Sequence, residues 1–260
     1  MRTPTTPSPT DLLSRHALRS EDFGQRLGVP AELRWTAQAI AASLEATLAA
    51  RPPGALWVLA YGSLMWNPLL DFADSVAATL QGWRRSFCLR VEAGRGSPAQ
   101  PGRMLALEPG GSTQCLALRL HEDRVREELG LLWTREMVAG AYRPAWLPVA
   151  LADGRTVQAV AFLADPVWPG YEYDARAETV APIVATASGA LGSNAEYLHC
   201  LAAALQAHRM EDGYIAAVLQ ALDAADQPAA LARSQSATET APSRAPGPGV
   251  SVPSSMGEPK

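Results

Sequence analysis

The chain has 260 residues, 48% hydrophobic and 18% charged, which is enough to bury one large core or two small ones. A net charge of −4 with scattered Lys and Arg gives none of the clustered basic surface that a nucleic-acid partner requires. No apolar run approaches the roughly 18 residues of a membrane helix, and the opening Met1-Arg2-Thr3-Pro4 has no apolar core behind it, so a soluble cytoplasmic protein is expected.

The first ten residues are rich in Thr and Pro and read as disordered. Residues 11–50 read as a helical extension, with Ser20-Glu21-Asp22 as a possible cap and Leu33, Ala37, Ile40, Ala41, Leu44 and Leu48 at helical spacing. Its expected role is a lid or brace. An apolar strand follows over Leu56–Tyr61, and a polar loop leads to a second strand, Trp83–Val91. Met104–Leu107 and Gln114–Leu120 read as a hairpin across Pro109-Gly110-Gly111-Ser112, and Ala145–Leu151 with Thr156–Leu163 as another across Asp153-Gly154. Between them His121–Met137 reads as an amphipathic helix. Helices are also expected over Ala175–Ala187, from a cap at Asn194 to about Met210, and over Asp212–Ala224. The tail, 225–260, lacks aromatics and is rich in Pro, Ser and Ala, so it is expected to be disordered. This order predicts an α+β fold, a small mixed or antiparallel barrel-like sheet with flanking helices, over 55–224.

Cys88, Cys115 and Cys200 stand far apart and leave one over in any pairing, and the four histidines include no His-x-x-x-His pair. Buried free thiols and no metal site are expected.

Two places carry chemistry. The first strand breaks at Gly62-Ser63 and stops at Asn67-Pro68. Glycine permits a positive φ and a close ligand, and a strand ending in such a turn aims N–H groups at one point, which suits an anion or oxyanion. In the helix over 121–137, Val125, Leu129, Leu132 and Glu136 share one face. A carboxylate on a core-facing stripe needs a partner or a function. Pairing with Arg135 or Arg143 is one reading. A general base with a raised pKa is the other. Glu92 and Glu108 fall at strand ends, and Glu172, Glu178 and Glu196 in loops or first helical turns, where acids offset the helix dipole.

Tyr61-Gly62-Ser63-Leu64 followed by Trp66-Asn67-Pro68 resembles the ChaC type of γ-glutamylcyclotransferase. Gly82-Trp83-Arg84-Arg85-Ser86-Phe87-Cys88, Pro101-Gly102-Arg103, Arg135-Glu136-Met137 and Gly192-Ser193-Asn194-Ala195-Glu196-Tyr197-Leu198 follow in the same order. The resemblance covers roughly residues 55 to 222. It implies a carbon–nitrogen lyase without a cofactor. In it, the α-amine of glutathione, or of another γ-glutamyl compound, attacks its own γ-carbonyl and releases 5-oxoproline. It makes Glu136 the acid–base residue and the backbone of Val58, Leu59, Ala60, Tyr61, Gly62, Ser63 and Leu64 the substrate grip. Arg85, Arg103 and Tyr142 are secondary candidates for holding substrate carboxylates or orienting Glu136; for the two arginines a structural role fits equally. Ala60 departs from the family's usual glycine, and its methyl is expected to narrow the mouth of the loop. A nucleophilic Ser63 is set aside, because Gly-x-Ser-x-Gly and a partner histidine are missing. The alternative to an enzyme is a γ-glutamyl-binding or regulatory module that kept the loop and lost turnover.

Overall fold

The computed structural model describes residues 9–224, so the expectations for 1–8 and for the tail from 225 lie outside the described residues. Pro9 and Thr10, expected within the disordered start, open the one-turn helix α1 (Pro9–Leu12). The extension continues through two more single turns, α2 (Arg15–Leu18) and α3 (Phe23–Arg26), and then one regular helix, α4 (Ala37–Ala49). The expected Ser20–Asp22 cap does not form, because Asp22 makes no side-chain cap bond to α3. Thr36 caps α4 by accepting from the Ala39 N–H at 3.1 Å.

Five strands close into a barrel in the order β1-β3-β2-β4-β5. β1 (Trp57–Ala60) is buried throughout, which its four apolar residues allow. It runs antiparallel to β3 (Gly102–Leu120) and parallel to β5 (Thr156–Ala164). β4 (Tyr142–Leu151) and β5 form the expected hairpin, turned at Gly154 with φ 88°.

The expected hairpin at 104–120 is a correction. Both halves lie in one 19-residue strand, β3, which pairs antiparallel with the 20-residue β2 (Phe72–Val91). Gly110 and Gly111 do adopt positive φ (112° and 66°), as does Gly82 opposite them (80°). There they form a bulge between the pairs Gln81–Ser112 and Trp83–Pro109. A bulge bends and twists the ladder without reversing the chain, and such bending helps a small sheet close.

α5 (Val125–Glu136) lies against the barrel with Leu129, Leu132 and Trp133 buried. Trp133 stacks edge-on to Phe162 of β5 with ring centroids 5.1 Å apart. α4 is fixed from outside: Trp133 Nε1 donates to Ser43 Oγ at 3.2 Å, and Trp146 Nε1 to the Thr47 carbonyl at 2.9 Å. α6 (Ala177–Thr186), α7 (Asn194–Ala207) and a last helical stretch over 213–224 complete the fold. Asn194 was expected to cap α7. Instead Ser193 caps it, by accepting from the Glu196 N–H. The buried Asn194 side chain brackets the main chain of Arg103, accepting from its N–H at 2.7 Å and donating to its carbonyl at 2.9 Å.

Candidate active site

β1 hands the chain to Tyr61 and Gly62, and a 3₁₀ turn follows over Ser63–Met65. Gly62 has φ −125°, so the expected positive φ is not what it supplies. It supplies space. A Cβ at that position would stand 2.9 Å from the Tyr197 hydroxyl. The N–H groups of Met65, Trp66 and Asn67 are engaged within the turn, and the Ser63 main chain is hydrogen-bonded to the Tyr197 hydroxyl.

α5 ends at this turn. Arg135 donates from Nη2 to Ser63 Oγ at 2.7 Å and from Nη1 to the Asn67 carbonyl at 2.6 Å, and its Nε lies 3.3 Å from Glu136 Oε1. One buried guanidinium thus ties the turn to the glutamate beside it. The Glu136 side chain is 15% exposed and opens into the cavity under the turn. Burial pushes its carboxyl above the ordinary glutamate range, and Arg135 pulls part of the way back. Glu136 therefore both touches Arg135 and faces open space.

Three tyrosines surround that space. Tyr61 donates to the Phe162 carbonyl at 2.6 Å and Tyr142 to the Leu105 carbonyl at 3.1 Å. Tyr197, from the first turn of α7, stacks edge-on to Trp66 at 5.3 Å. Burial holds all three hydroxyls in the neutral form, well above the usual tyrosine range, helped next by the nearby Glu136 charge at Tyr61 and Tyr197 and by Tyr61 and then Glu136 at Tyr142. Tyr197 was not among the sequence candidates. Its signal was present in the motif Gly192–Leu198, where an aromatic sits in the first turn of a helix that must pack.

Of the candidates, Tyr61, Gly62, Ser63, Leu64, Glu136 and Tyr142 line one cavity of about 450 Å³. Val58, Leu59 and Ala60 are fully buried in β1, register against Leu118, Ala117 and Leu116, and do not reach it. The Ala60 methyl therefore sits in the barrel wall and not at the mouth. Arg85 is a buried tie. Its Nε donates to the Tyr61 carbonyl at 2.7 Å, Nη1 to Asp212 Oδ2 at 2.9 Å and Nη2 to the Gln114 carbonyl at 2.7 Å. Arg103 is also buried, 3.4 Å from Glu172, and does not line the cavity. Glu108, expected at a strand end, lies inside β3 and accepts from the Tyr171 hydroxyl.

Cys88 and Cys115 are buried free thiols pushed up to about 12 by burial, whereas Cys200 is half-buried and lines the cavity. Among the described residues no helix is long and apolar enough to cross a membrane.

A closed mixed barrel with a desolvated glutamate under a main-chain turn defines a protein built around a small-molecule pocket suited to acid–base chemistry. A family model for ChaC-like proteins matches residues 56–225. The glutathione-specific gamma-glutamylcyclotransferase of Escherichia coli (strain K12) is 51% identical over 203 residues, spanning 77% of this chain and 88% of that protein. The glutathione-specific gamma-glutamylcyclotransferase 1 of Homo sapiens is 33% identical over 177 residues, spanning 65% and 79%. Among solved structures, a yeast gamma-glutamyl cyclotransferase specific to glutathione superposes with a TM-score of 0.61 at 21% identity, covering 66% of this chain and 96% of that one; it shares the fold. The chain belongs to the ChaC-like family.

Proposed function

We propose that this protein is a glutathione-specific γ-glutamylcyclotransferase, with Glu136 as its acid–base residue. The activity printed in the names of the Escherichia coli and human relatives supports the reaction. The observation that carries the assignment of the base is the Glu136 carboxylate, raised by burial and opening into the cavity under the Gly62–Leu64 turn.

The reaction needs the substrate curled and one proton moved. With the γ-glutamyl group folded on itself, the α-amine stands against its own γ-carbonyl, and closing a five-membered ring gains the rate advantage of an intramolecular attack. Glu136 takes the proton from the α-ammonium. Its raised pKa brings it closer to neutrality, so it can return that proton to the departing cysteinyl nitrogen. The main-chain groups of Gly62, Ser63 and Leu64 hold the α-carboxylate or the developing oxyanion. The neutral hydroxyls of Tyr142 and Tyr197 border the same space and can orient the substrate without adding charge. Arg135 fixes the distance between turn and base. Arg85 anchors the Tyr61 carbonyl behind them. Ser63 Oγ already accepts from Arg135, which suits a positioning role over a nucleophilic one. The reaction is placed in the cytoplasm, where glutathione is kept reduced.

Purified protein incubated with glutathione is expected to yield equal amounts of 5-oxoproline and cysteinylglycine, measured by mass spectrometry. Release of glutamate instead would show hydrolysis. Unchanged glutathione alongside turnover of other γ-glutamyl amines would move the chain to a different substrate class.

A further inference from the structure

The cavity has two chemically different sides. Its floor carries Glu136, Tyr142, Tyr197 and the turn at Gly62. An apolar wall is added by Leu13, Phe23, Leu27, Val29, Pro30 and Leu33, with Arg90, Glu92, Arg95 and Glu196 as further charged lining; the six apolar residues all lie ahead of residue 56, where the family match begins. The wall is anchored in the fold. The Gly94 N–H donates to the Leu27 carbonyl at 3.1 Å. Arg15 grips the fully buried Glu128 with two hydrogen bonds of 2.6 and 2.8 Å. Asp71 N–H donates to that carboxylate as well, at 2.9 Å.

Glutathione has little to set against such a surface. It carries two carboxylates, an ammonium, two amides and a thiol, and polar groups laid on aliphatic side chains lose hydrogen bonds to water without replacement. An apolar group laid there gains for each methylene removed from water. We propose that this wall seats an apolar substituent on the cysteine sulphur, so that the protein also cyclises S-alkyl and S-aryl conjugates of glutathione. The inference rests on the γ-glutamyl reading of the floor. In such a compound the departing nitrogen is the cysteine's own. The sulphur therefore branches off close to the reacting bond, inside the cavity, where the wall and the floor face the same space. The step balances without a co-reactant. The α-nitrogen forms a bond to the γ-carbonyl carbon, the γ-amide C–N bond breaks, and the amine proton passes to the departing nitrogen. The products are 5-oxoproline and the S-substituted cysteinylglycine.

The test measures kcat/KM for glutathione, S-methylglutathione and S-hexylglutathione by 5-oxoproline release. The measurement is made on the full chain and on Leu27→Asn/Leu33→Asn, two half-buried wall positions. The parent is expected to use S-hexylglutathione at least as well as glutathione. The double variant is expected to lower the S-hexyl to glutathione ratio about tenfold, or about 1.4 kcal/mol. Because the ratio is taken within one preparation, a partly unfolded variant leaves it unchanged. Turnover of glutathione without turnover of S-hexylglutathione, or a ratio the substitutions do not move, overturns this inference and leaves the γ-glutamyl reading intact. Absence of 5-oxoproline from all three compounds overturns both.

Discussion

Replacing Arg85 with methionine probes the tie behind the turn. The Arg85 side chain is fully buried, and its partner Asp212 is 10% exposed. Methionine keeps most of the length and volume but removes the charge and three donors. Asp212 would then be a nearly buried carboxylate without its cation. Breaking one side of such a pair costs about 3–5 kcal/mol. The Tyr61 and Gln114 carbonyls also lose their donors, each adding on the order of 1 kcal/mol if water does not reach them. A chain of this size loses about 2–4 °C of Tm per kcal/mol, so a fall on the order of 10 °C or more is expected in a thermal melt. Turnover should fall with it, because the Tyr61 carbonyl is held directly by Arg85. Adding Asp212→Asn to Arg85→Met removes the stranded charge while an oxygen remains to cap the last helix, where Asp212 accepts from the Tyr214 and Ile215 N–H groups. Part of the stability should therefore return. A loss below about 1 kcal/mol for Arg85→Met, or no recovery in the double variant, would refute the reasoning.

Gly62→Ala places a methyl 2.9 Å from the Tyr197 hydroxyl and should cost about 1–3 kcal/mol of stability or transition-state binding. Combining it with Tyr197→Phe removes the atom in conflict and should restore part of the loss in kcat/KM; a purely additive double variant would contradict the packing argument. Glu128 is buried, which by itself favours protonation, yet Arg15, the Asp71 N–H and Arg124 hold its carboxyl below the usual range. The stabilisation it gives is complete above the ordinary glutamate pKa and is lost as pH falls through that value toward the lowered one. Glu128→Gln should cost about 2 kcal/mol near neutral pH and flatten the acid side of the stability curve, as followed by circular dichroism; parallel curves for parent and variant would contradict this.

The strand at 56–61, the Gly62-Ser63 break and the helix ending at Glu136 were legible because each is written in neighbouring residues: an apolar run, a glycine, a stripe at helical spacing. The path of β2 and β3 was not. Gly110-Gly111 has the signature of a tight turn, and only Gly82 opposite them, nearly thirty residues earlier in sequence, makes the site a bulge. Glu128 passed unnoticed for the same reason. It lies one residue from Leu129 on the same helix, and its burial depends on Arg15, distant in the chain. Arg85 carried the right residue type for binding a carboxylate, but the carboxylate it found belongs to Asp212. Tyr197 enters the site only because α7 packs its first turn over Gly62.

The central claim is that the Glu136 carboxylate moves the proton that ring closure requires. Glu136→Gln keeps the shape and removes the charge that burial opposes, so its Tm near neutral pH should match or exceed that of the parent. Measured at matched folded concentration, this variant is expected to release no 5-oxoproline from glutathione above background. Release at the parental rate would contradict the account.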